Sequence, residues 1–162
     1  MRRSFNHGFT QRPVDQCRNG RRSEAMGDVL RSGLGKLGNA MILVKHFMEA
    51  PEADDGVRMW IEPIELVPEL RLWTKVDHCL THLGPPVGLR RWFEDHPLEY
   101  DEFRRRYHEY LGRGPYKRVL YEFAIAARGM ENVTLLHDEC DPLHNSATAL
   151  AEYLIELSSW KM

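Results

Sequence analysis

The chain has 162 residues, of which 43% are hydrophobic and 28% are charged, and its formal net charge is -2. This length and composition fit one globular domain. The small net charge gives no bulk electrostatic reason to bind nucleic acid or a membrane surface, so we expect neither. No apolar run approaches the roughly 18 residues that cross a bilayer. The three cysteines form no CxxC motif, which argues against a disulfide framework and predicts a cytoplasmic protein.

Residues 1–40 are basic, with eight Lys or Arg residues and three acidic residues. They contain few branched apolar residues, so we expect a disordered extension, with a single domain over residues 41–162. A targeting peptide and a nucleic-acid-binding arm are the functional alternatives to an extension that plays no part in the domain. Residues 33–38 match the pattern GxGxxG. No convincing strand precedes this loop, which favours a flexible linker over a dinucleotide site.

From Met41 onward the apolar pattern predicts alternating strands and helices. Apolar, β-rich runs predict strands over Met41–Phe47, Val57–Glu62 and Val133–His137. Spacings of three and four residues predict helices over Gly88–Phe93, Leu98–Leu111, Tyr116–Arg128 and from about Asn145 to Ser158. Leu70–Val76 fits either a short strand or a helical turn, and Val76–Leu83 has helix-like spacing. This alternation predicts a small α/β sandwich with a mostly parallel sheet flanked by helices.

The polar turn after Val133–His137 is the best candidate for a functional site. In an open α/β sheet, ligands bind beyond the C-terminal ends of the strands. Asp141 or Asn145 could cap the last helix, or its N-terminus could hold an anion. His144 could exchange a proton near neutral pH and is the candidate catalytic residue. Capping alone and a functional role are equally consistent with this sequence.

Two other groups of residues favour a structural interpretation. His137, Cys140 and His144 lie among acidic residues and could in principle bind zinc, but their spacing matches no standard zinc motif. We therefore expect a solvated acidic loop, with no metal or cofactor. Arg104–Arg106 is flanked by Phe103 and Tyr107, whose helical spacing places both rings on the apolar face. A solvated arginine face is therefore favoured over a nucleic-acid-binding surface.

Four sequence segments, in order, resemble the YeaO-like family, a domain of unknown function (number 488). Asp55–Arg58 resembles the family's Asp-Gly-aromatic-Arg start of a strand, and Leu89–Phe93 resembles its Leu-Arg-Lys-Trp-Phe helix. Phe103–Leu111 resembles its Phe-Arg-x-x-Tyr-x-x-x-Leu helix. Thr134–Leu150, with Asp141 and the His144-Asn145 pair, resembles its final strand and helix. The resemblance implies one α/β domain and gives no reaction.

The chain departs from this family where the family looks most chemical. The family has Val-Asp-Arg-Leu-Trp-Pro-Arg-Gly where Ile61–Pro68 stands here, so both arginines, the tryptophan and the glycine are missing. This loss disfavours an enzyme. Arg58 and Arg90 remain at matching positions, and an arginine pair binds carboxylate or phosphate well.

These observations lead to three functional hypotheses. The first is a non-catalytic module that binds a small anion or a protein partner, with a ligand site formed by Arg58, Arg90, Asp141, His144 and Asn145. The second is an enzyme acting on a small phosphorylated or carboxylated substrate, with His144 as acid and base and the arginines as clamps. The third is a nucleic-acid binder that uses the basic N-terminal segment.

Overall fold

The computed structural model describes residues 34–159. Its strands form one five-stranded sheet, with the order β1-β2-β5-β3-β4. The strands are β1 (Gly35–Leu37), β2 (Ala40–His46), β3 (Val57–Trp60), β4 (His78–Cys79) and β5 (Asn132–His137). β1 pairs with β2 in the antiparallel sense, and every other neighbouring pair is parallel. The predicted mostly parallel sheet is therefore confirmed.

Five α-helices complete the described part of the fold. They are α1 (Pro68–Trp73), α2 (Val87–Asp95), α3 (Tyr100–Leu111), α4 (Pro115–Ala127) and α5 (Ser146–Ser159). The four predicted helices correspond to α2, α3, α4 and α5, with ends shifted by one or two residues. α2 begins directly after Pro85 and Pro86, and Pro115 opens α4, because proline fits the first turn of a helix but not its interior.

The two faces of the sheet carry different amounts of core, as the alternation of side chains along a strand requires. On one face, Val44, Met59 and Leu135 join the main core with Phe103 of α3 and Leu150 of α5. On the other face, a smaller cluster contains Trp60, Val76 and Leu136. The sheet is thus covered by helices on one face and mostly by irregular segments on the other.

The first strand corrects the predicted domain boundary. β1 lies inside the segment for which the sequence predicts no structure, and Leu37 is completely buried in the main core. Gly38, with φ of 63°, makes the turn from β1 to β2. The GxGxxG pattern is therefore largely a β-hairpin, neither a linker nor a nucleotide loop. The domain begins by Leu34, and the rest of the N-terminal segment lies outside the described residues.

Two further segments differ from or complete the prediction. Most of Leu70–Val76, which the sequence left undecided, belongs to the short helix α1 and the turn after it. Val76–Leu83 contains β4 and a single 3-10 turn where helix-like spacing was noted. The apolar side chains of this segment face two clusters: Val76 packs with Trp60, whereas Leu83 enters the main core. A spacing that looks helical can therefore arise from an extended chain crossing the sheet edge.

Candidate functional site at the C-terminal edge of the sheet

Strands β2, β3 and β5 run in the same direction, so their C-terminal ends meet at one edge of the sheet. We call this the C-terminal edge. Polar side chains follow each strand there: His46 ends β2, Glu62 follows β3, and His137 to Glu139 end and follow β5. This is the edge at which open α/β sheets bind ligands.

Arg90 of α2 connects three of these segments. Its guanidinium donates to Glu62 Oε2 and to Asp138 Oδ1, both at 2.6 Å, and lies 3.5 Å from Glu94 Oε1. Glu62 is completely buried, and Arg90 is nearly so. We call Glu62, Arg90, Asp138 and Glu139 the Arg90 cluster. Because the guanidinium is already engaged by two carboxylates, it has little capacity left for an external anion.

Glu139 occupies the N-terminus of the last helix. The backbone N–H of Ser146 donates to Glu139 Oε2 at 2.6 Å, and the Ser146 hydroxyl donates to Oε1 at 3.3 Å. The first turn of a helix attracts negative charge because its N–H groups have no partner within the helix. The anion that the sequence predicted at this N-terminus is thus a carboxylate of the protein itself.

The protonation of the Arg90 cluster is shifted by burial. Burial raises the pKa of Glu62 well above its usual range, and the neighbouring Glu139 raises it further, although Arg90 opposes both. Burial also raises the pKa of Glu139 to about 7, although the bonds from Ser146 and the charge of Arg90 oppose it. Burial alone would lower the pKa of Arg90, but the surrounding carboxylates raise it above its ordinary value. The cluster therefore holds at least one proton at neutral pH.

The turn before α5 holds the predicted residues Asp141, His144 and Asn145 together. Asn145 is buried and accepts a bond from the Thr148 N–H at 2.8 Å, so it is the helix cap. Asp141 accepts bonds from the N–H groups of Leu143 and His144. Burial would raise the pKa of Asp141, but these bonds and the His144 ring lower it below its usual value. Of the two capping candidates, Asn145 caps the helix and Asp141 shapes the turn.

His144 is half-exposed on this turn. Its Nδ1 lies 3.1 Å from Asp141 Oδ2, and its ring packs against Tyr100 with 4.9 Å between centroids. Burial raises the pKa of Tyr100 far above its ordinary value, with a contribution from the nearby Glu152. The Tyr100 and His144 rings thus form an accessible aromatic wall close to the buried cluster.

Arg58 is not part of this edge, which corrects the predicted arginine pair. Its neighbours on β3, Val57 and Met59, face the main core, so Arg58 faces the opposite side of the sheet. There its guanidinium contacts Asp55 and donates to the backbone oxygen of Thr74 at 3.2 Å. Arg90 lies on a helix that packs on the other face. The alternation of the strand therefore separates two arginines that the sequence placed together.

Histidine and acidic groups elsewhere do not assemble a metal site of the predicted kind. His137 is buried with its ring against His46, and burial lowers the pKa of His137 to about 3. Between residues 34 and 159, the three carboxylates close enough to share a cation belong to Glu52, Asp54 and Asp55. Two of them are engaged, because Lys45 contacts both Glu52 and Asp55.

The arginines of α3 are paired with acids of the protein. Arg105 and Arg106 contact Glu102, and Arg104 contacts Glu152. Phe103 and Tyr107 are completely buried, as their spacing predicts. This helix therefore presents no row of unpaired cations beside exposed rings.

Sequence reasoning missed Glu62 and undervalued Asp138 and Glu139. Glu62 was treated as part of a lost family motif, and the two acids after β5 were treated as a solvated loop. Their positions carried a usable signal, because each follows directly after a strand that the sequence predicts correctly.

An open α/β sheet with polar residues gathered at its C-terminal edge defines the class of this protein. A family model described as "Domain of unknown function DUF488" matches residues 44–154. The chain belongs to this family. No curated protein and no solved structure matches it. None of the helices between residues 34 and 159 has the length and apolarity that crossing a membrane requires.

Proposed function

We propose that this domain is a protein-binding module, and that its docking surface surrounds helix α1. The observation that supports this proposal is a group of large apolar side chains left in water. Ile64, Val67, Leu72 and Trp73 are exposed by 41%, 50%, 82% and 70%. No residue of α1 is buried. Contiguous apolar surface of this kind, with a central tryptophan, is typical of protein interfaces.

The position of this surface agrees with the divergence of the sequence. Ile64 and Val67 stand within Ile61–Pro68, where the chain lacks the arginines and the tryptophan of the resembled motif. The lost polar residues are thus replaced by a segment that exposes apolar side chains and leads into α1. A change from polar to apolar surface favours contact with another protein over contact with a small polar substrate.

The anion-binding half of the first hypothesis has weaker support. Arg90 already contacts Glu62 and Asp138, while Arg58 is buried against Asp55 on the other face of the sheet. The enzyme hypothesis used the same two arginines as clamps around His144, so it loses the same support.

The partner that best fits this surface is a second copy of the chain. Glu69 and Arg71 carry opposite charges on the same exposed helix. Two antiparallel copies of α1 would place Glu69 of each against Arg71 of the other, with Leu72 and Trp73 between them. A two-fold arrangement of this kind is the commonest form of self-association.

The test is the molar mass of the full chain, measured by light scattering over a wide range of protein concentration. We expect a monomer–dimer equilibrium that Leu72→Ser combined with Trp73→Ser abolishes. The thermal stability of this variant should hardly change, because both side chains are exposed in the monomer. The matched control is Leu98→Ser, which replaces a leucine that is 97% exposed and lies before α3. A wild-type chain that stays monomeric, or a double variant that still dimerises, would overturn the proposal.

A further inference from the structure

The Arg90 cluster lacks positive charge. Three carboxyl groups, those of Glu62, Asp138 and Glu139, surround one guanidinium. With all groups ionised, these four side chains would carry two excess negative charges in a largely buried place. Buried charges are stable only when they are paired or neutralised. The protons held by Glu62 and Glu139 supply the missing positive charge in the unliganded protein.

One oxygen of the cluster is left without a partner. Glu62 is completely buried and its Oε2 accepts from Arg90, but no donor reaches Oε1 with hydrogen-bonding geometry. Buried carboxyl oxygens are nearly always satisfied in folded proteins. An unsatisfied acceptor within a cluster that already lacks positive charge indicates a missing donor that carries positive charge.

The cluster can be approached from solvent on one side. The Asp138 side chain is 28% exposed, and Glu139 is only half-buried. Tyr100 and His144 form the neighbouring aromatic wall, and Glu139 raises the pKa of Tyr100 through its charge, after burial and Glu152. Asp138 and Glu139 therefore stand between the buried Glu62 and the solvent, at the edge where open sheets bind ligands.

The spacing of the carboxylates favours an organic cation over a metal ion. Oxygens that share one Mg²⁺ or Ca²⁺ lie about 2.0–2.6 Å from it, and hence close to one another. Among the described residues, the acids that meet such spacing are Glu52, Asp54 and Asp55, which lie outside the cluster. An ammonium or guanidinium group spans wider gaps, because each N–H reaches an oxygen about 2.8 Å away.

We propose that the Arg90 cluster is a binding site for a small organic cation with several N–H donors, an ammonium or guanidinium group. Asp138 and Glu139 contact the cation, and Glu62 and Arg90 position these carboxylates. The cation takes the place of a proton, so binding releases a proton to solvent. This site has the opposite sign to the anion site that the retained arginines predict, and it does not depend on the docking surface at α1.

The charged groups around Glu139 determine how binding depends on pH. Arg90 and Glu94 face the cluster from α2, Glu62 from the end of β3, and Asp138 from the same loop. Tyr100 and Tyr107 face it from α3, and burial keeps the pKa of both phenols high. Beneath the edge, burial lowers the pKa of both His46 and His137, so neither imidazole gains charge at neutral pH. Glu139 is thus the group of the cluster that titrates near neutrality.

The experiment is an NMR titration of the full chain with methylguanidinium chloride and methylammonium chloride. The backbone amide of Ser146 reports the site directly, because it donates to Glu139. We expect its signal to shift and to saturate at about pH 8, and the affinity to weaken roughly tenfold per pH unit below the pKa of Glu139. Tetramethylammonium, which has the same charge and no N–H donor, should leave the signal unchanged.

Two variants separate the cation site from a purely structural network. Glu139→Gln should abolish binding, whereas Glu69→Gln on the exposed helix α1 should bind like the wild type. Glu62→Gln removes one negative charge beside Glu139, so the midpoint of the pH profile should move to lower pH. A structural network alone would change stability without moving this midpoint.

Three outcomes would overturn the proposal. The first is the absence of a saturable shift with both probes at a pH where Glu139 is ionised. The second is an equal response to tetramethylammonium, which would indicate screening by charge alone. The third is a saturable response to MgCl2 with none to methylguanidinium, which would indicate a metal site. Wild-type spectra decide all three, so the result stands even if a variant fails to fold.

Discussion

At the scale of single residues, the entrance to α5 depends on one buried amide. Asn145 caps the helix through its Oδ1, and its Nδ2 donates to the backbone oxygen of Asp141 at 3.0 Å. The side chain therefore fixes the helix and the preceding turn together. A single residue of this kind influences both stability and the position of Asp141 and His144.

We expect Asn145→Ala to lower the free energy of unfolding by about 1–2 kcal/mol, because the Thr148 N–H loses its acceptor. Urea denaturation measures this loss. Ser159→Ala, at the exposed end of the same helix, is the control and should change stability by less than about 0.5 kcal/mol. Equal stability of the two variants would show that Asn145 does not cap the helix in solution.

The raised pKa of Glu139 predicts how stability depends on pH. The folded chain holds this proton up to a pKa of about 7, whereas the unfolded chain releases it near 4.5. A carboxyl whose pKa is raised by folding stabilises the folded state at low pH, and that stability is lost as the pH rises. Between pH 4.5 and pH 7 the free energy of unfolding of the wild type should therefore fall relative to Glu139→Gln.

Urea denaturation of both proteins across this window measures the difference, which cancels the titration of distant groups. Glu65→Gln replaces an exposed glutamate and provides the control. A difference that stays constant, or that grows in favour of the wild type with rising pH, would mean that folding does not raise the pKa of Glu139.

At the scale of secondary-structure elements, a glycine fixes the start of β3. Gly56 has φ of 61°, and a Cβ at this position would overlap the backbone of Asn132 in β5. The close approach lets β3 pair with β5 from its first residue, so that Val57 lies opposite Val133. Both the conformation and the lack of space require glycine here.

Gly56→Ala should lower the free energy of unfolding by at least about 2 kcal/mol, because alanine meets both backbone strain and overlap. The matched control is Gly88→Ala in α2. A Cβ there meets nothing within 4 Å, and alanine in a helix should stabilise by about 0.4–1 kcal/mol. Thermal unfolding of the two variants should therefore move in opposite directions, and a shift in the same direction would contradict the prediction.

At the scale of the whole molecule, the β1–β2 hairpin completes the domain. Leu37 is completely buried, and α5 covers β1, since a Cβ at Gly35 would meet the Ile155 side chain. The core therefore joins the first described strand to the last helix. A chain that begins at Met41 loses this strand and uncovers the apolar side chains beneath it.

A chain beginning at Met41 should be less stable than one beginning at Leu34 by at least about 2–5 kcal/mol, the usual cost of removing one buried leucine side chain. Guanidinium denaturation of the two proteins tests this expectation. Leu37→Ala in the full chain should show a loss in the same range. Equal stability of the two shortened chains would place the domain boundary at Met41 after all.

Patterns that act along a short stretch of chain predicted much of the architecture. Tyr100, Phe103, Tyr107 and Leu111 recur at helical spacing and line one side of α3, as predicted. β1 escaped prediction because it has only three residues, two of them polar or glycine. Its strand conformation depends on pairing with β2 and on cover from α5. Short edge strands of this kind have no local apolar pattern strong enough to announce them.

The sequence by itself determined the order of the main strands and helices, the C-terminal edge as the polar place, and membership of the family. These depend on local periodicity and on motifs in a fixed order. Only the tertiary structure decided the sign and composition of the site. Arg90 meets Glu62 across 28 positions and Asp138 across 48, and no local pattern encodes such pairs. The alternation of β3 also turned Arg58 to the opposite face, because side chains of a strand point to either side of the sheet in turn.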